Sequence, residues 1–387
     1  MCKPFQANAS PPENYMLQER IEGKWIDCFA ATFALCGVKA GDTAAVLSET
    51  QSRPVNVQLA ELALARLGAQ VFHLVLASPK LTAPVPVRST GASDAIAHLA
   101  PVVQALSACT FVADLTVEGL LHAPELTEIL KGGARVLMVS NEHPEVLERC
   151  APDAALEPKV KAGMKLLRAA KAMQVTSLAG TDLHITLQHA AEGGASAADS
   201  GGGGRGSSSG GASARVGGGW GYTARAGTIS HWPGGLCLAF PAEGSVNGTL
   251  VLAEGDVNLT FKRYVEKPVV LTIENDYVTN IAGESLDAEL MRGYFAAWGD
   301  QEAYAVSHVG WGMNPQARWD AMQFYDKKDF NGTELRAFAG NFLYSTGANE
   351  VAGRHTPGHF DLPLRHCSVM LDGVIVVDSG VLQGDLA

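Results

Sequence analysis

The chain is short of the features that mark several protein classes. Its seven cysteines (Cys2, Cys28, Cys36, Cys109, Cys150, Cys237, Cys367) are scattered, odd in number and never spaced as Cys-x-x-Cys, which excludes a disulfide framework and a thiolate zinc site. They read as reduced, mostly buried thiols. No stretch reaches eighteen uninterrupted apolar residues, and Met1 to Pro12 has no basic segment followed by an apolar run. Neither a membrane span nor a secretion signal is expected, so the reading is a cytoplasmic protein. The formal net charge is -11 and Lys and Arg form no cluster, so nucleic acid is excluded as a partner, because phosphate contacts need concentrated cations. No Gly-x-Gly-x-x-Gly follows the first apolar strand, and no His-Glu-x-x-His occurs, which removes the nucleotide-binding and zinc-protease signatures. The Gly-x-Ser-x-Gly match at Gly206 to Gly210 lies in a low-complexity run rather than on a strand-to-helix turn, so it carries no nucleophile.

What remains is the pattern of a folded chain. At 387 residues and 47% hydrophobic content, two or three domains with a substantial core are expected. Residues 1 to 20, with Pro4, Pro11 and Pro12, read as a loose arm before an amphipathic segment at Trp25 to Cys36. Short continuous apolar strands then alternate with helices. Strands are expected at Asp42 to Leu47, Gln70 to Leu76, Thr110 to Asp114 and Ala134 to Val139, and helices at Val55 to Leu67, Ser93 to Leu106 (kinked at Pro101) and Leu126 to Lys131. Strands buried on both faces lose the polar alternation of half-exposed ones, so this half is an open α/β layered domain with a mostly parallel sheet. Lys159 to Met173 reads as a further helix, and the domain boundary is set at 178, giving 1–178 and 179–387. Residues 193–219 are nearly all Gly, Ser and Ala and cannot bury enough surface to offset their ordering entropy, so a disordered insertion is expected there. Beyond His231 short alternating strands separated by turn residues predict a C-terminal α+β domain with largely antiparallel strands. Helices are placed at Leu286 to Trp298 and around Pro315 to Met322, and a closing hairpin turns at Asp372-Gly373.

Chemistry concentrates in one late segment, Thr356-Pro357-Gly358-His359-Phe360-Asp361-Leu362-Pro363-Leu364-Arg365-His366-Cys367. In an extended strand side chains two apart share a face, so His359 and Asp361 present an imidazole and a carboxylate together. A surface hydrogen-bonded pair is the plainer explanation of such spacing. A 2-His-1-carboxylate site for Fe(II) is the sharper one, and Ser307-His308-Val309-Gly310-Trp311-Gly312-Met313-Asn314-Pro315 offers the second imidazole from upstream. His355 and His366 flank the pair as rival ligands. Of the eleven histidines, His73 and His98 sit in apolar patterns and read as structural. His184 and His189 precede the insertion, where geometry would be hard to hold. His231 opens a Pro/Gly-dense loop beside a strand, and His122 follows the strand ending near Asp114, at the sheet edge where open α/β folds bind ligands.

Several segments in order then carry a resemblance: His231-Trp232-Pro233, Glu243-Gly244-Ser245, Gly248 to Leu252, Ser307 to Gly312, Gly340 to Gly347 and His359 to Cys367. Together they resemble the 2,5-dihydroxypyridine 5,6-dioxygenase family, densely from about Gly221 to Asp372 and more weakly through the N-terminal half. The resemblance implies iron held by His308, His359 and Asp361, and acid/base histidines at His231 and His122, with His143 as the substitute for the latter. It also implies a small N-heteroaromatic substrate and O2 as partners, ring opening to N-formylmaleamate, and a homo-oligomer. The Gly/Ser-rich insertion and residues 223–228 depart from that pattern, which leaves the behaviour of any closing loop open. A wider resemblance, through Gly180-Thr181-Asp182-Leu183 and the His-x-Asp pair, is to the aminopeptidase T-like metallopeptidases. Those bind two metals with added glutamates, one of them expected where this chain has His308, and an imidazole there supplies less negative charge than a two-metal cluster needs. A metallopeptidase and a non-catalytic binding protein on the same fold are the alternative readings.

Overall fold

The computed structural model describes residues 20–80, 82, 84, 93–188, 214–329 and 331–387. The expected N-terminal arm, apart from Arg20, and residues 193–213 of the expected insertion lie outside them, as does His189.

The N-terminal half folds as its apolar pattern dictates. Thr43–Glu49, Gln70–Leu76, Phe111–Asp114 and Arg135–Val139 pair in parallel, and the helices Gly23–Leu35, Pro54–Arg66, Ala100–Ser107 and Leu126–Lys131 interleave with them. A fifth parallel strand, Ile229–Trp232, joins beside Arg135–Val139 although it follows the 178 boundary in sequence. Its Trp232 is fully buried, packs against Phe29 at 4.9 Å between ring centroids, and donates its indole N–H to the Cys150 carbonyl at 2.9 Å. Burying such a side chain stabilises the sheet by roughly 2–3 kcal/mol, and the satisfied N–H removes the penalty that would oppose it.

Two large antiparallel sheets and a two-stranded one, Val257–Asn258 with Arg263–Tyr264, make the rest. One has eight strands and includes Ala172–Ser177, Asp182–Thr186 and the closing hairpin Cys367–Leu371/Val374–Asp378. The other has five, in the order Arg354–Leu364, Phe342–Asn349, Val306–Gly312, Leu236–Phe240, Arg215–Gly219. The two are tied by a buried ion pair of Arg354 with Asp276, whose carboxylate also accepts the Gly244 and Val246 amides at 2.6 and 2.7 Å. No helix among the described residues is long and apolar enough to cross a membrane.

Three sequence expectations need correction. Arg215–Gly219, assigned to the disordered insertion, is a strand antiparallel to Leu236–Phe240; backbone hydrogen bonds hold it, and its glycines fit where side chains would collide, since a Cβ on Gly218 would lie 2.7 Å from the Met164 sulfur. The helix expected from Ser93 starts only at Ala100, because Pro101 occupies a first-turn position and initiates the helix rather than kinking it; His98 lies ahead of it, exposed and at φ 62°, not in an apolar core. No α-helix forms over 315–322: the Asn314 side chain accepts the Gln316 amide in a local turn, and only the short 3-10 segment Ala321–Gln323 follows.

Candidate metal centre

The five-stranded antiparallel sheet builds the centre through its register. His308 pairs with Ser345, and Ser345 pairs with Asp361 on the next strand. Directly opposed residues of antiparallel neighbours share a face, so an imidazole and a carboxylate from the outer strands converge above a serine between them. His359, two residues before Asp361, adds its ring from the same face. The ligand atoms of His308, His359 and Asp361 lie within 4.8 Å of one another. His359 Nε2 is 3.2 Å from Asp361 Oδ2, His308 Nε2 is 4.0 Å from Asp361 Oδ1, and the two imidazole centroids are 5.7 Å apart. Tyr294 fixes the strand, its hydroxyl donating to the His359 carbonyl and accepting the His359 amide at 3.3 Å.

The electrostatics of the cluster suit a cation. His308 is 6% exposed and Asp361 3%. Burial pushes the His308 imidazole down to about 3 in spite of the Asp361 carboxylate beside it, so the ring is neutral and able to ligate. Burial alone would raise Asp361, but the Arg336 guanidinium, then His359 and His308, hold its carboxyl well below the usual range. Arg336 Nε donates to Asp361 Oδ2 at 2.5 Å, and the Ser345 hydroxyl donates to Oδ1. His308 and His359 both turn Nε2 toward the Asp361 carboxylate, at 4.0 and 3.2 Å, and a metal held by two imidazoles and one carboxylate fits that donor set.

The centre lies on the wall of a cavity of about 880 Å³. The opposite wall is the carboxyl edge of the parallel sheet and its following loops, with Glu49, Val117, His122, Met138 and His231, the position where open α/β sheets hold ligands. His231 is buried on the added parallel strand. Its Nδ1 lies 2.6 Å from the Pro233 carbonyl, which can only accept, so Nδ1 carries the hydrogen and Nε2 keeps a lone pair. Burial depresses its proton affinity, which keeps it neutral, and the Arg336 charge acts in the same direction. His122 reaches the same space, its centroid 6.3 Å from that of His359. Asp114 folds the loop that carries it, accepting the Thr116 and Leu120 amides at 3.0 and 2.7 Å.

The other histidines separate cleanly. His143 faces a different, shallow pocket with Glu145, Asp326 and Asp329, stacked on Tyr325 at 5.3 Å, and is not part of the main cavity wall. His355 lines the rim of the main cavity, whereas His366 occupies an exposed turn at φ 56°. His73 bridges Ser48 and Glu61, and His184 pairs with Asp182 at the surface. Sequence reasoning missed Arg336 and Ser345. Ser345 lies inside a segment already singled out, but only the strand register shows what stands on either side of it.

Fold and centre together define a class: an α/β chain in which two histidines and an aspartate that could hold a metal line a cavity at the carboxyl edge of a parallel sheet. A sequence profile of the 2,5-dihydroxypyridine 5,6-dioxygenase family matches residues 24–205 and 207–384. The 2,5-dihydroxypyridine 5,6-dioxygenase of Pseudomonas putida KT2440 is 37% identical over 359 residues, covering 91% of this chain and 94% of that one. The chain belongs to this family. The solved structure of the 2,5-dihydroxypyridine dioxygenase from Pseudomonas putida KT2440 superposes with a TM-score of 0.82 at 34% identity, over 93% of this chain and 97% of that chain. Wild-type AmpT from Thermus thermophilus has a TM-score of 0.57 at 15% identity, over 92% and 99% of the two chains, a likeness of fold alone.

Proposed function

We propose that this chain is an iron(II)-dependent dioxygenase that opens the ring of 2,5-dihydroxypyridine with O2 to give N-formylmaleamate. The observation that carries the reading is the meeting of His308, His359 and Asp361 within 4.8 Å on the cavity wall, in a chain of this family. These three side chains would hold the metal and leave the cavity side of its coordination sphere to reactants. When bound, iron(II) would relay electron density from the ring to O2 and so overcome the spin barrier between them, with no net change in its own oxidation state.

The chain's own residues handle position and protons. The cavity walls hold the ring and O2 side by side, which converts their encounter into an intramolecular step. His231, neutral and with Nε2 unprotonated, accepts the hydroxyl proton as the substrate binds. His122 is the second acid/base group, returning a proton as the oxygen–oxygen bond breaks. The balance is complete: the ring bond between C5 and C6 breaks, both oxygen atoms enter, C5 with its hydroxyl becomes the carboxylate, and C6 becomes the formyl carbon on nitrogen. A cytoplasmic location and a homo-oligomeric state belong to the same proposal; the free cysteines at 28, 36, 109, 150, 237 and 367 support a reducing compartment.

The test is anaerobic reconstitution of the metal-free protein with Fe(II), then admission of air with ultraviolet detection of substrate loss and parallel measurement of O2 uptake. His359→Ala should lose iron and turnover together, while His231→Gln should keep iron and lose turnover. Ring opening by iron-free His359→Ala would overturn the assignment.

A further inference from the structure

In the segment Asn141-Glu142-His143-Pro144 the histidine lies away from the main cavity. Its glutamate points the other way. Glu142 is 0% exposed, and its carboxylate accepts the amides of three successive residues of the C-terminal half: Asn331 at 3.2 Å on Oε2, Gly332 and Thr333 at 2.9 Å on Oε1. The Ser140 hydroxyl lies 2.8 Å from that of Thr333, and the Asn56 amide fixes the Glu142 carbonyl at 2.9 Å. The short helix Thr333–Ala337 begins at this clamp and presents Arg336 to Asp361. Gly332 is required at its start, at φ +101° with a would-be Cβ 2.4 Å from Leu259. Arg149 braces the same helix through Glu334 at 2.7 Å.

A five-residue helix has little stability of its own. Its orientation is therefore set by what holds its ends, and the direction of the Arg336 guanidinium follows. We infer that Glu142 is a positioning residue for the metal centre: reaching across from the parallel-sheet half, it sets the helix that aims Arg336 at Asp361 and so fixes the rotamer of the carboxylate ligand. This rests on the metal reading above. Partners that orient a ligating carboxylate change metal affinity by about 10- to 100-fold when removed.

The experiment titrates metal-free protein with cobalt(II) and follows both the dissociation constant and the visible ligand-field spectrum, which reports the ligand geometry. Glu142→Gln and Arg336→Gln should each weaken cobalt binding about tenfold or more and shift the bands alike, and the double variant should be no worse than the weaker single one. Glu142→Asp, which keeps the charge, should recover part of the affinity. Asp287→Asn serves as a control, since Asp287 is equally buried and pairs with Arg263 at 2.9 Å; it should lower the thermal midpoint without moving the cobalt spectrum. Should Glu142→Gln fail to fold, Ser140→Ala loosens the same clamp by a single hydroxyl and is expected to move the spectrum in the same sense. Cobalt affinity and spectrum unchanged in a folded Glu142 variant, or effects of Glu142→Gln and Arg336→Gln that multiply, would overturn the inference while leaving the metal reading intact. Wild-type protein that binds no cobalt at all would overturn both.

Discussion

Replacing Gly219 by alanine tests the role of His231 without touching a metal ligand. A Cβ at this position would sit 2.8 Å from His231 Nε2, 3.3 Å from its Cδ2 and 3.5 Å from its Cε1, against the 3.4 Å at which ordinary contact begins. The shortfall at Nε2 is thus about 0.6 Å. Gly219 has no positive φ, so alanine suits the backbone and the imidazole is what must yield. The ring cannot simply retreat, because Nδ1 is held 2.6 Å from the Pro233 carbonyl. Either that hydrogen bond lengthens or the ring tilts about it, and both turn Nε2 away from the cavity. Overpacking of this kind costs about 1–3 kcal/mol of stability, and misplacing a reacting group by 1 Å costs on the order of 100-fold in rate; for the smaller shift here we expect kcat to fall roughly 10- to 100-fold. The assay is steady-state loss of 2,5-dihydroxypyridine beside iron content of the same preparation. Iron should stay at the wild-type level, and the pH profile of kcat should change with it. Wild-type kcat in a folded, iron-loaded Gly219→Ala protein would refute the placement of His231 at the proton-transfer step.

Ser345→Ala removes the hydroxyl on Asp361 Oδ1 and should weaken iron binding by about 1.5–3 kcal/mol, the usual worth of a hydrogen bond to a charged group; Ser345→Val, whose branch would stand beneath the converging ligands, should abolish iron binding, and both are read by chelator competition. Excess Fe(II) at about 100 times its Kd should stabilise the folded protein by about 2.7 kcal/mol, seen as a rise in thermal midpoint that a chelator reverses and His359→Ala lacks. For metal-free protein, His308 titrates at about 3 when folded and near 6.5 when unfolded. Between those values the unfolded chain takes up a proton that the folded one refuses, so stability falls as pH drops from about 6.5, by up to ~1.4 kcal/mol per pH unit, and His231, also depressed, adds to the same slope. Urea midpoints from pH 7.5 to 5 should show that decline, shallower in His308→Gln; an unchanged slope would contradict the buried neutral state.

The inner strands of the parallel sheet were legible because burial on both faces writes a continuous apolar run, as in Arg135–Val139, buried at its last four positions; Gln70–Leu76, the half-exposed edge strand, was found at its expected bounds as well. His231 read as the opening of a Pro/Gly-dense loop, yet it lies in the strand Ile229–Trp232, and nothing local says that this segment pairs with Arg135–Val139 some ninety positions earlier. Arg215–Gly219 is harder still: a strand made largely of glycine has no side-chain period, and its pairing depends on close approach of neighbours that only the fold supplies. The same limit divides the candidate site. His359 and Asp361 are two apart on one strand, so their shared face follows from the period of extended chain. His308 was offered from an upstream segment with His355 and His366 as rivals, and only the register selects it; Ser345 and Arg336 entered only with the register and the helix start, both set by contacts between distant segments.

The charge inventory of the cavity separates the family reading from a two-metal hydrolase on the same fold. A second divalent ion needs further carboxylates within ligand distance of the first. Among the described residues one group of three potential ligands meets in this way, and it holds a single carboxylate. That carboxylate is already engaged on both oxygens, by Ser345 and Arg336. Arg336 places a further positive charge where a second cation would otherwise draw on Asp361, and His308 is neutral rather than anionic. Glu49 is committed to the Val117 amide at 2.7 Å, and Asp94, Glu118 and Glu350, which also line the cavity, stand outside the ligand group, so beside Asp361 a second metal would meet imidazole and guanidinium. A single ion held by His308, His359 and Asp361 would keep its excess positive charge in this surrounding, and under the proposed function that charge would favour an ionised ring hydroxyl as its partner from the cavity.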